Sequence, residues 1–588
     1  MKNKFLSIVF LMISLFLCQV AFSQHEITVL PDSLRAELKN DFKSQKVQGF
    51  ACAVFDTSKI LWEFNYGFSD RELKKPVSFN ENFLIGSTTK LFTAIGVMQL
   101  VERGLINLDA PLVKYIPEFY INSLYGSSDK ITIRQIMTHH AGLPTDFLAP
   151  AYSVNPPYFS IILDKLKQMY TIGPAGKMFV YSNIDYQLLG LLIERVSGLS
   201  YQEYIKKNIF IPANMKNSFF YTNLADTLKF AASYDRHGHR RLEYPLFGIP
   251  AGSIASNVYD MINFSRALMK TNSPLIGKAI LHEMCKVQNR DVLLDLDDRF
   301  GLCFFINYKN SKAGRIVEHG GAVAYQRSQL YLQPETGVGA ILLSNSPNGV
   351  NDSYKIRDHL LLPIIEKKTA NFAKVKEDVK RVNVTSIKDK NLNDFTGYYA
   401  TAGYTFKIEW KDNNLFTRLY GRGFYIRPLN DTLFVLSPDL NTPLDQSLPN
   451  KWLLETIEGH QLIINIPPWG DMGIVAAKYT LPEINENIKE KYGEYEIINL
   501  KKGDLKTVRG ARIYEADGQL LCSVYLADAF NFMPAGQPYV FALKVVDDNH
   551  FQTAGLGRYC GESLVFDPKS ATPTFNLMGL ELQKKMDQ

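Results

Sequence analysis

The segment 84–104, LIGSTTKLFTAIGVMQLVERG, constrains this chain more than any other stretch. Leu91, Phe92, Ile95, Val97, Met98, Leu100 and Val101 leave a helix over 88–103 with no polar face, so it must be buried on all sides. Only a fold with layers on several sides can do that. Within the helix stands Lys90, three residues after Ser87 and on the same face. Burial destabilises an ammonium, so Lys90 needs partners or a lowered pKa. Ser87 has two readings. As a helix cap it needs nothing further, with Gly104 as the stop. As a nucleophile it would use the adjacent amine as its base, and the helix N-terminus would supply N–H groups for an oxyanion.

A second Ser-x-x-Lys, Ser127–Lys130, lies in the polar loop YGSSDKITI, where nothing positions the two side chains. Tyr-x-Asn occurs four times, and the copy at Tyr181-Ser182-Asn183 falls between a Gly/Pro-rich loop and an apolar helix expected over 186–197 and stopped by Gly198. Functional residues favour such loops, although Asn183 could simply cap that helix. The third element is His319-Gly320-Gly321, expected at the start of a strand, where paired glycines permit close backbone approach by a ligand.

The remaining chain sets the frame. Its 588 residues imply two to four domains. Residues 1–23 read as an export signal, with Lys2 and Lys4, an apolar stretch over 5–17 and the cleavage site Ala21-Phe22-Ser23. We expect an exported chain, periplasmic or secreted, with no membrane-spanning helix after processing. The net charge of +6 falls to +4 without Lys2 and Lys4, too weak to suggest nucleic acid. Cys52, Cys285, Cys303, Cys522 and Cys560 are odd in number and scattered, which suits buried thiols rather than a disulfide framework or a cysteine zinc site. Neither HExxH, GxSxG nor GxxxxGK[ST] is present, and no metal or cofactor is expected.

From 24 to 366 helical and strand patterns mix, with a Pro/Gly hairpin joining QLYLQPE to GAILLSN, so an α+β arrangement with antiparallel sheet is expected. Residues 367–390 carry eight Lys or Arg against three acids and read as an exposed linker. Beyond it, short alternating strands fall into blocks 391–482 and 483–588, opened by DFTGYYA and KYGEYEI. Two antiparallel barrels or sandwiches, or one larger barrel, would fit, and no catalytic set is apparent there.

In this order the three elements resemble the serine β-lactamase-like, penicillin-recognising hydrolases of the class C and DD-peptidase type, similar to peptidase family S12. The likeness runs over 31–365, through GSTTKLFTAIGVMQLVERGLINLDAPLVKYIPEF, ITIRQIMTHHAGLP, FVYSNIDYQLLGLLIERVSGLSYQEYI and EHGGAVAYQRSQLYLQPETGVGAILLSN. It implies an antiparallel sheet flanked by helices plus an all-helical part. It implies Ser87 as acylated nucleophile, Lys90 and Tyr181 as its proton-transfer system, and Asn183 on the substrate amide. The N–H groups of Ser87 and Ala322 would form the oxyanion hole. Which of Lys90 and Tyr181 is the base stays open.

His319-Gly320-Gly321 stands where typical β-lactamases of this type carry Lys-Thr-Gly, whose Lys and Thr help bind a substrate carboxylate. A His there resembles certain DD-peptidases, D-aminopeptidases and esterases, and some D-aminopeptidases also carry two C-terminal barrels. The expected activity is hydrolysis, through an acyl-enzyme, of a small amide or ester such as a D-amino-acid peptide. A β-lactamase, an esterase and a catalytically silent binder of cell-wall fragments are the alternatives. If His319 binds an anionic group, it should do so only when protonated, losing hold from about pH 6 to 8.

Overall fold

The computed structural model describes residues 32–307, 315–369, 380–444, 451–467, 472–527 and 537–586. The export signal expected over 1–23 lies outside the described residues, as does 370–379 of the expected linker. A seven-stranded antiparallel sheet forms the frame of the first half. Its order is Lys75–Pro76, Ile60–Asp70, Gly49–Phe55, Val338–Ser344, Arg327–Gln333, Ile316–Ala322 and Phe305–Asn307.

The interior strand Gly49–Phe55 is buried on both faces, and its alternation assigns them. Phe50, Cys52 and Val54 pack beneath the helix Asp32–Ser44 through Leu38 and Phe42, and beneath the terminal helix Leu362–Thr369 through Ile365. Ala51, Ala53 and Phe55 face the larger core. There the helix Thr89–Glu102 lies with every residue from Thr89 to Leu100 buried. Phe92 stacks on Phe264 at 4.2 Å and meets Phe210 edge-on. An apolar helix without a polar face thus finds the all-round burial it requires.

Two closed eight-stranded barrels follow, one from Gly397–Thr401 to Gly473–Tyr479 and the other from Gly493–Ile497 to Leu580–Lys584. The similar openings at 394 and 491 each lead into the first strand of a barrel. Closure removes the exposed sheet edges that two sandwiches would have kept. The second barrel is tied to the α+β part by backbone hydrogen bonds, Leu148 N–H to Met578 O (2.8 Å) and Leu505 N–H to Tyr152 O (2.9 Å). Among the described residues no helix is long and apolar enough to cross a membrane.

The basic linker needs correction at both ends. Its first residues continue the helix to Thr369. At its far end Lys390 is not solvated but forms a buried pair with Glu455 at 2.7 Å, which anchors the segment to the first barrel.

Candidate active site

Ser87 lies in a 3-10 turn, Gly86–Thr88, that leads directly into the buried helix. It is not the helix cap. Thr88 holds that position, and its hydroxyl makes no cap bond but meets Ser328 Oγ at 2.8 Å. Ser328 in turn donates to Ile85 O at 2.7 Å, so two hydroxyls fasten the serine turn to the sheet.

The glycines explain how closely the turn can sit. Gly86 adopts φ +50°, and a Cβ there would lie 2.5 Å from Ala322 N. A Cβ on Gly321 would lie 1.8 Å from Ile85 O. Of the paired glycines, Gly321 therefore admits the chain's own backbone, not a ligand as expected from sequence. Gly320 is less constrained, since its Cβ would meet only the end of the Gln329 side chain at 2.8 Å. The strand runs Ile316–Ala322, which puts His319, Gly320 and Gly321 towards its end rather than at its start. Ala322, the last residue, lines the same cavity as Ser87.

Lys90 is fully buried. Its Nζ lies 2.7 Å from Asn183 Oδ1, 2.8 Å from Ala251 O and 3.1 Å from Ser87 Oγ. Burial pulls its pKa down to about 7, and the Arg558 cation acts in the same direction against the opposing pull of Asp146. Asn183 Oδ1 and Ala251 O can only accept. A neutral amine that donates its two protons to them turns its lone pair towards Ser87 Oγ.

Burial holds the Tyr181 phenol well above its ordinary value, and the neighbouring Ser87 hydroxyl pulls the other way. Lys90 Nζ stands 4.9 Å from the centre of the Tyr181 ring. Asn183 is the first residue of the helix Asn183–Ser197, and Ser182 is the cap, accepting from Asp185 N–H. That frees the Asn183 side chain, whose Nδ2 donates to Asp146 Oδ1.

His319 does not fit the role of anion binder. It is 2 % exposed, and Nδ1 donates to Gly320 O at 2.6 Å. Burial first, and then the nearby Lys90 charge, lower its pKa to about 3, so it is neutral throughout pH 6–8. His319, Gly320 and Gly321 are not among the residues lining the cavity at Ser87. The other Ser-x-x-Lys stays idle: Ser127 precedes the short turn Ser128–Lys130 and makes no side-chain cap bond.

The sequence showed no catalytic set in the C-terminal half, but the structure brings residues of that half to the cavity at Ser87. Arg558, Tyr559 and Glu562, from the second barrel, line the same cavity as Ser87. Arg558 Nη2 bonds Asp146 Oδ2 at 2.8 Å, and its guanidinium stands 5.2 Å from the Tyr181 ring centre. Glu562 Oε1 accepts both the N–H and the hydroxyl of Thr145 at 2.8 Å, and burial pushes its pKa up to about 7. A polar chain thus runs Lys90, Asn183, Asp146, Arg558. The available signal was the glycine-dense loop GLGRYCG, in which Gly555, Gly557 and Gly561 all have positive φ. Among the described residues no cluster of three or more His, Cys, Asp or Glu could hold a metal ion.

A mixed sheet-and-helix body presenting Ser, Lys and Tyr around one hydroxyl defines a hydrolase of the serine β-lactamase fold. The chain belongs to the Beta-lactamase family, whose model matches residues 34–362. Beta-lactamase-like protein 2 of Dictyostelium discoideum is 26% identical over 344 residues, 56% of this chain and 62% of that protein. Protein flp of Staphylococcus aureus (strain MRSA252) is 24% identical over 343 residues, 56% of this chain and 66% of that protein. The matches thus span less than two thirds of these curated relatives. Among solved structures, SurE superposes with a TM-score of 0.53 at 20% identity, covering 76% of this chain and 98% of SurE. The octameric penicillin-binding protein homologue from Pyrococcus abyssi gives 0.50 at 19%, covering 84% of this chain and 98% of that one.

Proposed function

We propose that this chain is an exported serine hydrolase that cleaves a small amide or ester through an acyl-enzyme on Ser87. The observation that carries the reading is the Ser87 hydroxyl held between the Lys90 amine and the Tyr181 phenol. Ser87 Oγ gives its proton to neutral Lys90 as it attacks the carbonyl carbon. The carbonyl oxygen takes up the electron pair beside the N–H groups of Ser87 and Ala322. Loss of one such donor typically costs about 3 kcal/mol.

The tetrahedral adduct collapses when the leaving group accepts a proton from the Tyr181 phenol, which Lys90 then reprotonates. Water releases the acyl group by the same steps reversed. The raised phenol pKa supports this division of labour, with Lys90 as base and Tyr181 as donor. Asn183 holds Lys90 in register, and export rests on residues 1–23. A D-amino-acid peptide is the substrate we favour among small amides, and SurE, a neighbour in fold, has been solved with D-Leu. Missing Lys and Thr at 319–320 argue against efficient β-lactam turnover.

The test is labelling with a fluorophosphonate followed by mass spectrometry. One adduct on Ser87 is expected, lost in Ser87→Ala and retained in Ser127→Ala. An adduct on another residue would overturn the assignment, and none on folded wild type would leave the silent cell-wall binder.

A further inference from the structure

The cavity at Ser87 does not end in the α+β part. One continuous space of about 470 Å³ runs from Ser87, Tyr181 and Asn183 past Arg558 and Tyr559 into the lumen of the second barrel. Its inner wall is Val508, Cys522, Val524, Phe541, Leu564 and Leu580, all buried core residues of that barrel.

The opposite part of the lumen is filled. Tyr495 packs on Phe575 at 4.9 Å, Phe575 on Phe566 at 5.1 Å, and Phe566 on Phe551 at 5.3 Å. Eight-stranded barrels either fill with side chains or hold one small ligand. The first barrel takes the former course, with Tyr399, Phe406 and Trp452 packed within it. In the second, the aromatic cluster closes one part of the lumen and leaves an apolar sleeve leading to the serine.

Polar groups stand where the sleeve meets the site. The Arg558 guanidinium and the Glu562 carboxyl line the junction, and Thr507 Oγ1 is buried there with no hydrogen-bond partner. A ligand with one polar end and one apolar end matches this order. Large apolar cavities do not hold water well, and an apolar void of about 150 Å³ accepts benzene. By that scale the space accommodates roughly eighteen carbon-sized atoms, enough for a reacting amide or ester and a chain of about ten carbons.

We infer that the substrate carries an apolar chain, which lies in the second barrel while its scissile bond lies at Ser87. This deepens the hydrolase reading and rests on it. The test uses two ester series, p-nitrophenyl esters with acyl chains of two to twelve carbons and acetate esters of alcohols of the same lengths. In at least one series kcat/KM should rise about four-fold per methylene, the equivalent of about 0.8 kcal/mol, and level off near ten carbons.

Val524→Phe narrows the sleeve, and Leu526→Trp does so from a half-buried position on the cavity wall, at the edge of the barrel core. Either should flatten the rise with chain length, read in each variant relative to its own turnover of p-nitrophenyl acetate. A flat series of both kinds, with acetate turned over and Ser87 labelled, overturns the sleeve and leaves the hydrolase reading standing. Absence of any turnover and of Ser87 labelling overturns the hydrolase reading instead.

Discussion

The Lys90 amine should show itself directly in the pH dependence of the reaction. An ordinary lysine is neutral in only about three molecules in ten thousand at pH 7, whereas a group with pKa about 7 is half neutral. The enrichment is on the order of a thousandfold, and the shift corresponds to about 5 kcal/mol. Full burial means that solvent screening does not reduce it. If the neutral amine is the base, kcat/KM on a neutral ester rises about tenfold per pH unit below 7, is roughly 1% of maximal at pH 5, and is flat above about pH 8. Two substitutions should move this curve in opposite directions. Arg558→Met removes a cation that disfavours the ammonium, so the midpoint moves up. Asp146→Asn removes an anion that favours it, so the midpoint moves down. The assay is initial-rate hydrolysis of p-nitrophenyl acetate from pH 5 to 9, read at a wavelength insensitive to pH. A wild-type rate still rising about tenfold per pH unit at pH 9, a flat profile, or shifts of the same sign in both variants would refute the reasoning.

Gly321→Ala should reduce kcat at least about a hundredfold, because its methyl group would displace the Ile85 carbonyl and with it the serine turn, and misplacement by about 1 Å costs that much. Gly320→Ala should stay within about threefold in the same assay, since only the Gln329 side chain must swing aside. For a substrate bearing a free carboxylate and its methyl ester, the ratio of kcat/KM values should stay constant from pH 6 to 8 as far as His319 is concerned. A change in that ratio that disappears in His319→Gln would show that the imidazole does carry charge.

The buried helix was legible because its apolar residues leave no face for water, and the strands of both barrels were legible from strict alternation and turn residues such as Asp517-Gly518. The candidate trio Ser87, Lys90 and Tyr181 was legible for a different reason: a lysine inside an apolar helix has a cost that a merely structural role does not offset. The state of His319 was not legible. Its residue type suggests a titrating group, but burial in the fold and the nearby Lys90 charge keep it neutral, and no local pattern encodes them. The role of Gly321 was read with the right physics and the wrong partner, since sequence cannot say whose backbone approaches. The contribution of Arg558 and Glu562 was hidden by distance along the chain. They share a cavity with the serine because segments such as 145–155, through Thr145, Asp146 and Leu148, contact the second barrel.

That contact has a bearing on how such a molecule can diversify. On the reading proposed above, the residues for bond cleavage and those for recognising an apolar chain belong to two different bodies, which meet along 145–155 and again at Tyr170 and His550. Substitutions within the barrel interior can reshape the choice of substrate without disturbing the serine, while a change at Thr145 or Glu562 would loosen selection and turnover together. Phe147, Leu148 and Phe247 line the cavity against the barrel. A shortened chain that ended after the α+β part would present these side chains to water and would be both less discriminating and more adhesive than the whole.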